Sequence, residues 1–211
     1  MELLVIRHGE TEFNRAGRYL GALDPELTDR GKEQAIALRP LLADIDVVLC
    51  SPLRRARQTA ELICAGRALS PVPVEWLRER HVGVFEGLTR SEAQARFPEL
   101  WARNITRHWA AAPPGGESIE QVVQRVREGL AELAASCPGR RVALVCHGFV
   151  AKVLRAIGHA GFDDFFDWQL PNAGVYAMTV DGAFDTAAQC VLALALVKCK
   201  SQDPSRDSTH E

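Results

Sequence analysis

The 211-residue chain is 47% hydrophobic and 25% charged, an ordinary globular composition that allows one sizeable core with an elaborated lobe. Its formal net charge of -2 gives no overall basic field, so composition provides no support for a nucleic-acid partner. The longest apolar run, Cys190 to Val197, is too short to cross a bilayer, and we expect no membrane partner.

The six cysteines are scattered along the chain and include no C-x-x-C pair. This spacing predicts free thiols, which are typical of proteins in a reducing compartment. A first strand that starts at residue 2 is expected to leave no room for a signal peptide. We therefore expect a cytoplasmic protein.

Strand and helix patterns alternate along the first part of the chain. Leu3 to Ile6 is an apolar run of the kind found in strands buried on both faces. A helix is predicted from about Thr28 to Ala43, with Thr28 or Asp29 as its cap and a kink at Pro40. Its apolar face is predicted to consist of Ile36, Leu38, Leu41 and Leu42.

A second buried strand is predicted over residues 46–50, with a helix directly after it. Ser51 is expected to cap that helix, Pro52 to occupy its first turn, and Ala65 to lie near its end. A third strand is predicted over residues 72–76, where two prolines place it near a sheet edge.

The alternation lapses between residues 77 and 116, where only residues 89–102 have a helical pattern. Phe97, Trp101 and Trp109 give this region three large aromatic side chains. We interpret the region as a lobe that lies over the strand ends.

The last part of the chain returns to the alternating order. Ser118 to Gln121 form a capping box, which predicts a long helix ending near Ser136. Arg141 to Cys146 has the pattern of a buried strand, and a helix is predicted from Phe149 to about Ile157. Two late edge strands are predicted over residues 174–180 and 190–198.

This order of elements predicts an α/β fold of the three-layer sandwich type. A mostly parallel central sheet would carry helices on both faces and a small helical lobe over the strand ends. We expect a single domain over residues 1–200, with the lobe at about 77–117. The polar residues 201–211 are expected to form a disordered tail.

Cationic side chains follow three predicted strands where each strand ends. Arg7 and His8 follow the first strand, and His147 follows the strand that ends at Cys146. The helix after the second strand adds Arg54, Arg55 and Arg57 in its first two turns. Parallel strand ends meet at one sheet edge, where ligands bind, and helix N-termini favour anions. One such group alone is more often a solvated surface feature, but three at equivalent positions predict an anion site.

Five segments, in order, carry recognisable motifs. They are RHGETEFN over 7–14, SPLRRARQTA over 51–60, LRE over 77–79 with Gly83 and Glu86-Gly87, PGGES over 114–118, and VCHG over 145–148. Together they resemble the histidine phosphatase superfamily, in its phosphoglycerate mutase-like branch. The match covers roughly residues 2 to 180.

The resemblance implies catalytic roles for five residues. His8 would be the nucleophile that becomes phosphohistidine, and Glu79 would be the proton donor. Arg7, Arg55 and His147 would hold the phosphoryl oxygens. No metal and no other cofactor is implied.

The resemblance also implies residues that contact the substrate. Asn14 and the backbone near Gly148 would help to hold the phosphoryl group, and Gly21 would lie in a loop that closes over the substrate. Arg80 is either a side chain at the pocket rim or a substrate-binding group, since Arg80-His81 resembles the mutase segment.

Three functions remain open, and a metal-independent phosphomonoesterase is the one we favour. Glycolytic mutases carry a long insertion with a basic lid, whereas residues 87–116 here are few and their arginines are dispersed: Arg90, Arg96, Arg103 and Arg107. A cofactor-dependent phosphoglycerate mutase is the alternative. A non-catalytic phospho-binding module is disfavoured, because nucleophile, arginine and acid are all present.

The predicted partner is a small phosphorylated metabolite. A sugar phosphate, a phosphoglycerate derivative and a nucleotide-like ligand fit the lobe's aromatic and arginine residues equally well. A homodimer is left open.

Overall fold

A computed structural model describes residues 1–158 and 161–180, with a five-stranded sheet at its centre. The strands are β1 (Glu2–Arg7), β2 (Val47–Cys50), β3 (Val72–Pro73), β4 (Arg141–Cys146) and β5 (Val175–Thr179). The α-helices are α1 (Glu12–Arg15), α2 (Asp29–Ala37), α3 (Arg54–Cys64), α4 (Arg90–Arg96), α5 (Pro98–Ala102), α6 (Ile119–Ser136) and α7 (Gly148–Gly158). Short 3₁₀ helices cover Arg39–Leu42, Glu75–Leu77, Gly83–Phe85 and Ile105–Arg107.

The sheet has the order β3-β2-β4-β1-β5, and all neighbours are parallel except the pair β1–β5. Its register pairs Arg7 at the end of β1 with Cys146 at the end of β4. The next residue of each strand, His8 and His147, therefore leaves the sheet at the same edge.

Two apolar cores cover the two faces of the sheet, because successive strand residues point to opposite sides. Val5 and Leu144 pack with side chains of α6 and α7, such as Leu130. Ile6 and Val145 pack on the other face under α2 and α3. The predicted three-layer α/β sandwich is thus confirmed.

A third apolar cluster forms the predicted lobe. Phe85, Leu88, Ala93 and Ile105 are its buried members, and Phe97 and Trp101 pack against them. Trp109 was expected in this lobe, but it is buried in the main core instead. Its ring centroid lies 5.1 Å from that of Phe162.

The predicted helix over residues 28–43 is shorter than expected. Thr28 is its cap, with its side chain accepting a hydrogen bond from the Gly31 amide, but α2 ends at Ala37. Pro40 does not kink the helix, because the chain has already changed to a 3₁₀ turn. Ile36 and Leu41 were predicted to be apolar-face residues, yet they are 42% and 48% exposed.

Two other predicted helices differ from the observed ones, one in where it starts and one in whether it is continuous. Ser51-Pro52 does not begin a helix, since α3 starts at Arg54 without a side-chain cap. The helical pattern over 89–102 is split into α4 and α5 at Phe97, because the residue before a proline disfavours the helical conformation. The capping box at Ser118 is confirmed at the start of α6.

The edge strands are confirmed where the structure describes them. β3 lies at one edge but covers only Val72–Pro73, and β5 lies at the other. The predicted strand over 190–198 and the predicted tail over 201–211 lie outside the described residues. Within residues 1–158 and 161–180, no helix is both long and apolar enough to span a membrane.

Candidate active site

The site is built around two buried histidines that follow adjacent parallel strands. His8 follows β1, and its amide donates a hydrogen bond of 3.0 Å to the Cys146 carbonyl at the end of β4. The His8 and His147 ring centroids are 5.1 Å apart in an edge-to-face arrangement. Their side chains are 2% and 0% exposed, so the chain's own packing fixes both rings.

The guanidinium of Arg55 joins the two rings. It comes from the first turn of α3 and is fully buried. Its Nε–H is shared between Nε2 of His8, at 3.3 Å, and Nδ1 of His147, at 3.2 Å. The remaining nitrogens donate to the carbonyls of Gly21 and Leu23, which hold the plane of the guanidinium.

These contacts fix the proton on each imidazole. Nδ1 of His8 lies 2.7 Å from the Gly9 carbonyl, which can only accept, so Nδ1 carries the proton and the Nε2 lone pair accepts from Arg55. On His147 the pattern is reversed, since Nδ1 accepts from Arg55. Its Nε2 then donates to Ser51 Oγ at 2.7 Å.

The surroundings keep both rings neutral. Burial, followed by the charges of Arg55 and Arg7, lowers the pKa of His8 well below its usual value. Burial and Arg55 likewise lower the pKa of His147. Burial also lowers the pKa of Arg55, to about 10, so the guanidinium remains charged at neutral pH. The result is two neutral bases beside a buried cation.

The turn after β1 depends on a close backbone approach. A Cβ on Gly9 would lie 2.3 Å from the Gly31 carbonyl oxygen in α2, so only glycine fits there. The Gly9 amide donates to Thr59 Oγ1, which in turn donates to the Arg55 carbonyl. Thr59 therefore connects the turn carrying His8 to the helix carrying Arg55.

Arg7 and Asn14 lie at the same edge of the sheet. Arg7 donates to the Leu170 carbonyl at 2.7 Å, and its buried Nε has no hydrogen-bond partner among the described residues. A Cβ on Gly148 would lie 3.4 Å from Arg7 Cζ, which puts the start of α7 against this guanidinium. The Oδ1 atom of Asn14 accepts from Asn172 at 3.1 Å, and Asn172 also donates to the His8 carbonyl.

Glu79 approaches the site from the lobe side. Its carboxylate oxygens accept from the amides of Arg80, at 2.9 Å, and Phe149, at 3.2 Å. The second of these amides belongs to the first turn of α7, where an anion is favoured. Glu79 also forms part of the wall of a cleft of about 590 Å³.

Two residues predicted to contact the substrate, Arg80 and Gly21, are buried. Arg80 is buried rather than at a rim, and it donates to the Glu117 and Thr106 carbonyls while lying over the Phe149 ring. Gly21 is buried with φ of +52°, and its carbonyl is held by Arg55.

Of the three arginines predicted to converge from the helix after the second strand, only Arg55 does so. Arg54 and Arg57 are exposed and form ion pairs with Glu26 and Glu61. They point away from the site because the helical period separates them from Arg55.

Three residues in the site were missed by the sequence reasoning. Ser51 was interpreted as a cap, although its position directly after a buried strand could have indicated a site residue. Thr59 lies within the SPLRRARQTA segment but was given no role there. Asn172 carries no local signal, because its partners lie in distant segments. No group of His, Cys, Asp or Glu that could hold a metal ion is found within the residues that the structure describes.

The neutral histidines should make stability depend on pH. Below pH 6.5 the unfolded chain takes up protons that the folded His8 and His147 do not, so stability should fall as pH falls. Each histidine contributes about 1.4 kcal/mol per pH unit until its folded pKa is reached. Urea unfolding from about pH 7.5 to 5.5 should show a shallower loss in His147→Asn than in wild type. His108→Asn, at an exposed histidine, is the matched control, and an unchanged slope in His147→Asn would contradict the neutral assignment.

Curated relatives of the chain include both phosphatases and a mutase. A metal-independent phosphoserine phosphatase of Arabidopsis thaliana is 36% identical over 74% of this chain and 66% of its own length. A bifunctional protein of Mycobacterium tuberculosis is 39% identical, and the match covers 72% of this chain but only 42% of that protein. A 2,3-bisphosphoglycerate-dependent phosphoglycerate mutase of Methylobacterium radiotolerans is 35% identical over 81% of this chain and 82% of its own.

Solved structures share the fold. A mycobacterial glucosyl-3-phosphoglycerate phosphatase in complex with VO3 has a TM-score of 0.75 and 33% identity, over 84% of this chain and 92% of that one. The α-ribazole phosphatase of Shigella flexneri has a TM-score of 0.77 and 31% identity, over 86% and 91%. The model of the histidine phosphatase superfamily (branch 1) matches residues 3–189, and the chain belongs to that family.

Proposed function

We propose that this chain is a metal-independent phosphomonoesterase that hydrolyses a small phosphorylated metabolite through a phosphohistidine intermediate on His8. The observation that carries the proposal is the neutral His8, whose Nε2 lone pair lies 3.3 Å from the charged Arg55 guanidinium. The proposed nucleophile therefore lies next to a cation that can bind an anion. Relatives named as phosphatases, from a plant and from mycobacteria, support hydrolysis over mutase activity.

In the first step His8 displaces the alcohol from phosphorus. A phosphoryl group bound by Arg55 takes over the Nε–H that Nε2 accepts in this structure, which releases the Nε2 lone pair. Nε2 then attacks phosphorus in line as the phosphorus–oxygen bond of the ester breaks. The ring gains positive charge as the new bond forms. The Gly9 carbonyl, accepting from Nδ1–H, stabilises that charge and keeps the ring orientation.

The transferred phosphoryl group carries negative charge on its equatorial oxygens, and the cations at this edge would stabilise it. Within the part of the chain that the structure describes, Arg7 has a buried Nε without a hydrogen-bond partner, and Arg55 is a fully buried charge. His147 would contribute its Nε2–H, after this N–H turns from Ser51 Oγ to the anion. Such fixed donors act strongly where water is excluded.

Glu79 is the proposed acid and base. As the protonated carboxyl it gives its proton to the leaving oxygen in the first step. As the carboxylate left behind it removes a proton from the attacking water in the second, while the new phosphorus–oxygen bond forms and the phosphorus–Nε2 bond breaks. The amides of Arg80 and Phe149 orient its carboxylate. The cleft that Glu79 lines has none of His8, Arg55 and His147 in its wall, so the cleft does not by itself place the ester.

Hydrolysis requires that water reach the phosphohistidine. The short lobe between Gly83 and Ile105 packs on its own apolar cluster, and we propose that a lobe of this size leaves the phosphohistidine open to water. A mutase would have to retain a bisphosphate there. The access of water to the intermediate favours a phosphatase over a mutase. The alternative function is a phosphoglycerate mutase, the activity for which one relative is named.

We also propose one domain over residues 1–200 and a cytoplasmic location. Support for the location comes from the free cysteines of the described segments: Cys50, Cys64, Cys137 and Cys146. Unpaired thiols are typical of reducing compartments. Support for one domain comes from the single sheet that connects both apolar cores.

The nucleophile can be tested by trapping. Rapid quench with a ³²P-labelled ester should give acid-labile, base-stable phosphate on the wild-type protein and on His108→Asn, but none on His8→Asn. Turnover by His8→Asn should fall on the order of 10³-fold or more, because a covalent nucleophile is lost. Full activity in that variant would refute the assignment.

Product analysis separates hydrolase from mutase. We expect every ester that is turned over, in a panel of sugar phosphates, phosphoglycerates and nucleotides, to release inorganic phosphate at a rate that does not depend on added 2,3-bisphosphoglycerate. The physical reason is access of water to the intermediate. Rapid conversion of 3-phosphoglycerate to 2-phosphoglycerate with negligible free phosphate would make the mutase the correct alternative.

A further inference from the structure

Arg125 links the long helix α6 to the segment that carries Glu79. Its Nη1 donates to the Trp76 carbonyl at 2.9 Å, and its Nη2 reaches the Glu79 carbonyl at 3.4 Å. The same guanidinium forms two hydrogen bonds with the carboxylate of Glu117, at 3.0 and 3.2 Å. One side chain therefore contacts the backbone on both sides of Arg78.

Glu117 completes the connection from the other direction. Its carboxylate accepts from the His81 amide at 2.9 Å, and its own amide donates to the His81 carbonyl at 2.8 Å. Its carbonyl accepts from Nε of Arg80. Burial opposes ionisation of Glu117, but Arg125 and the His81 amide together keep its pKa below the usual value.

The segment held in this way has little regular structure of its own. Between the 3₁₀ turn that ends at Leu77 and the one that begins at Gly83, residues 78–82 belong to no helix or strand. The position of the Glu79 backbone thus depends on side-chain donors and on the residues next to it. Arg125 and Glu117 supply those contacts before and after Glu79.

We propose that the Arg125–Glu117 ion pair positions Glu79 for proton transfer, so that both are positioning residues for the reaction. The inference rests on the proposed function, in which Glu79 is the proton donor. Displacing a reacting group by about 1 Å can cost on the order of 100-fold in rate, so a backbone clamp of this kind has a measurable effect.

This role predicts a dependence on the leaving group. An alkyl phosphate needs a proton on its departing oxygen, whereas p-nitrophenyl phosphate needs it far less. A misplaced Glu79 should therefore slow the alkyl ester selectively. General damage to the fold would slow both esters equally. Direct contact with the substrate, through the cleft that Arg125 and Glu117 also line, would raise KM instead of lowering kcat.

The test is a double-mutant cycle of Arg125→Gln and Glu79→Gln, with both esters assayed in each variant. We expect Arg125→Gln alone to lower kcat for the alkyl ester by about 10- to 100-fold. In the Glu79→Gln background it should cause no further selective loss. Arg125→Lys keeps the charge but not the planar fork of donors, so it should give an intermediate loss of kcat. It takes the place of Arg125→Gln in the cycle if that variant does not fold.

Arg140→Gln is the matched control. It breaks an exposed ion pair with Asp46 next to the start of β4, and His147 follows the other end of that strand. The ratio of the kcat values for the two esters should therefore stay unchanged. A selective loss that persists in the Glu79→Gln background, or equal losses on both esters from Arg125→Gln, would overturn the positioning role alone. Equal losses from Glu79→Gln by itself would overturn the proposed acid, and this inference with it.

Discussion

The buried guanidinium of Arg55 is the constraint on which the rest of the site depends. A buried charge is costly unless it is paired and hydrogen-bonded, yet in the described part of the chain no carboxylate forms an ion pair with it. Two carbonyls and the lone pairs of His8 and His147 satisfy its donors instead. Those acceptors are neutral, and the carboxylates of Glu79, Asp24 and Glu86 act on the positive charge without forming an ion pair with it. A bound phosphoryl dianion would be a directly paired counter-charge beside the proposed nucleophile.

The sheet makes this arrangement possible. Parallel pairing of β1 and β4 brings two strand ends into register, so two imidazoles separated by 139 positions in sequence meet with ring centroids 5.1 Å apart. The guanidinium between them and the burial around them both favour the neutral rings. Neutrality gives His8 its lone pair, and the Gly9 carbonyl decides which nitrogen bears it. The proposed nucleophilicity of His8 thus depends on the fold, on burial and on one backbone hydrogen bond.

Sequence patterns predicted the parts of this site that strands and motifs determine, and missed the parts that long-range packing determines. Apolar runs ending at Arg7 and at Cys146 identify the sheet edge, because buried parallel strands have a strong compositional signal. A serine-proline pair is an equally good helix cap or strand end, and only the contact with His147 shows that Ser51 belongs to the site. Asn172 could not be predicted, since its partners lie more than 150 residues away. Burial of Arg80 depends on how the lobe packs, which no local pattern encodes.

The properties of the site depend above all on His8 being a neutral imidazole with its proton on Nδ1, held against a charged Arg55. Side-chain ¹⁵N NMR of histidine-labelled protein, followed from about pH 8 to about pH 5.5, measures both the charge and the tautomer directly. We expect a His8 signal of the Nδ1-protonated neutral form and a His147 signal of the Nε2-protonated form, both unchanged at about pH 6. A His8 ring that titrates near the ordinary histidine value, or that carries its proton on Nε2, would contradict it.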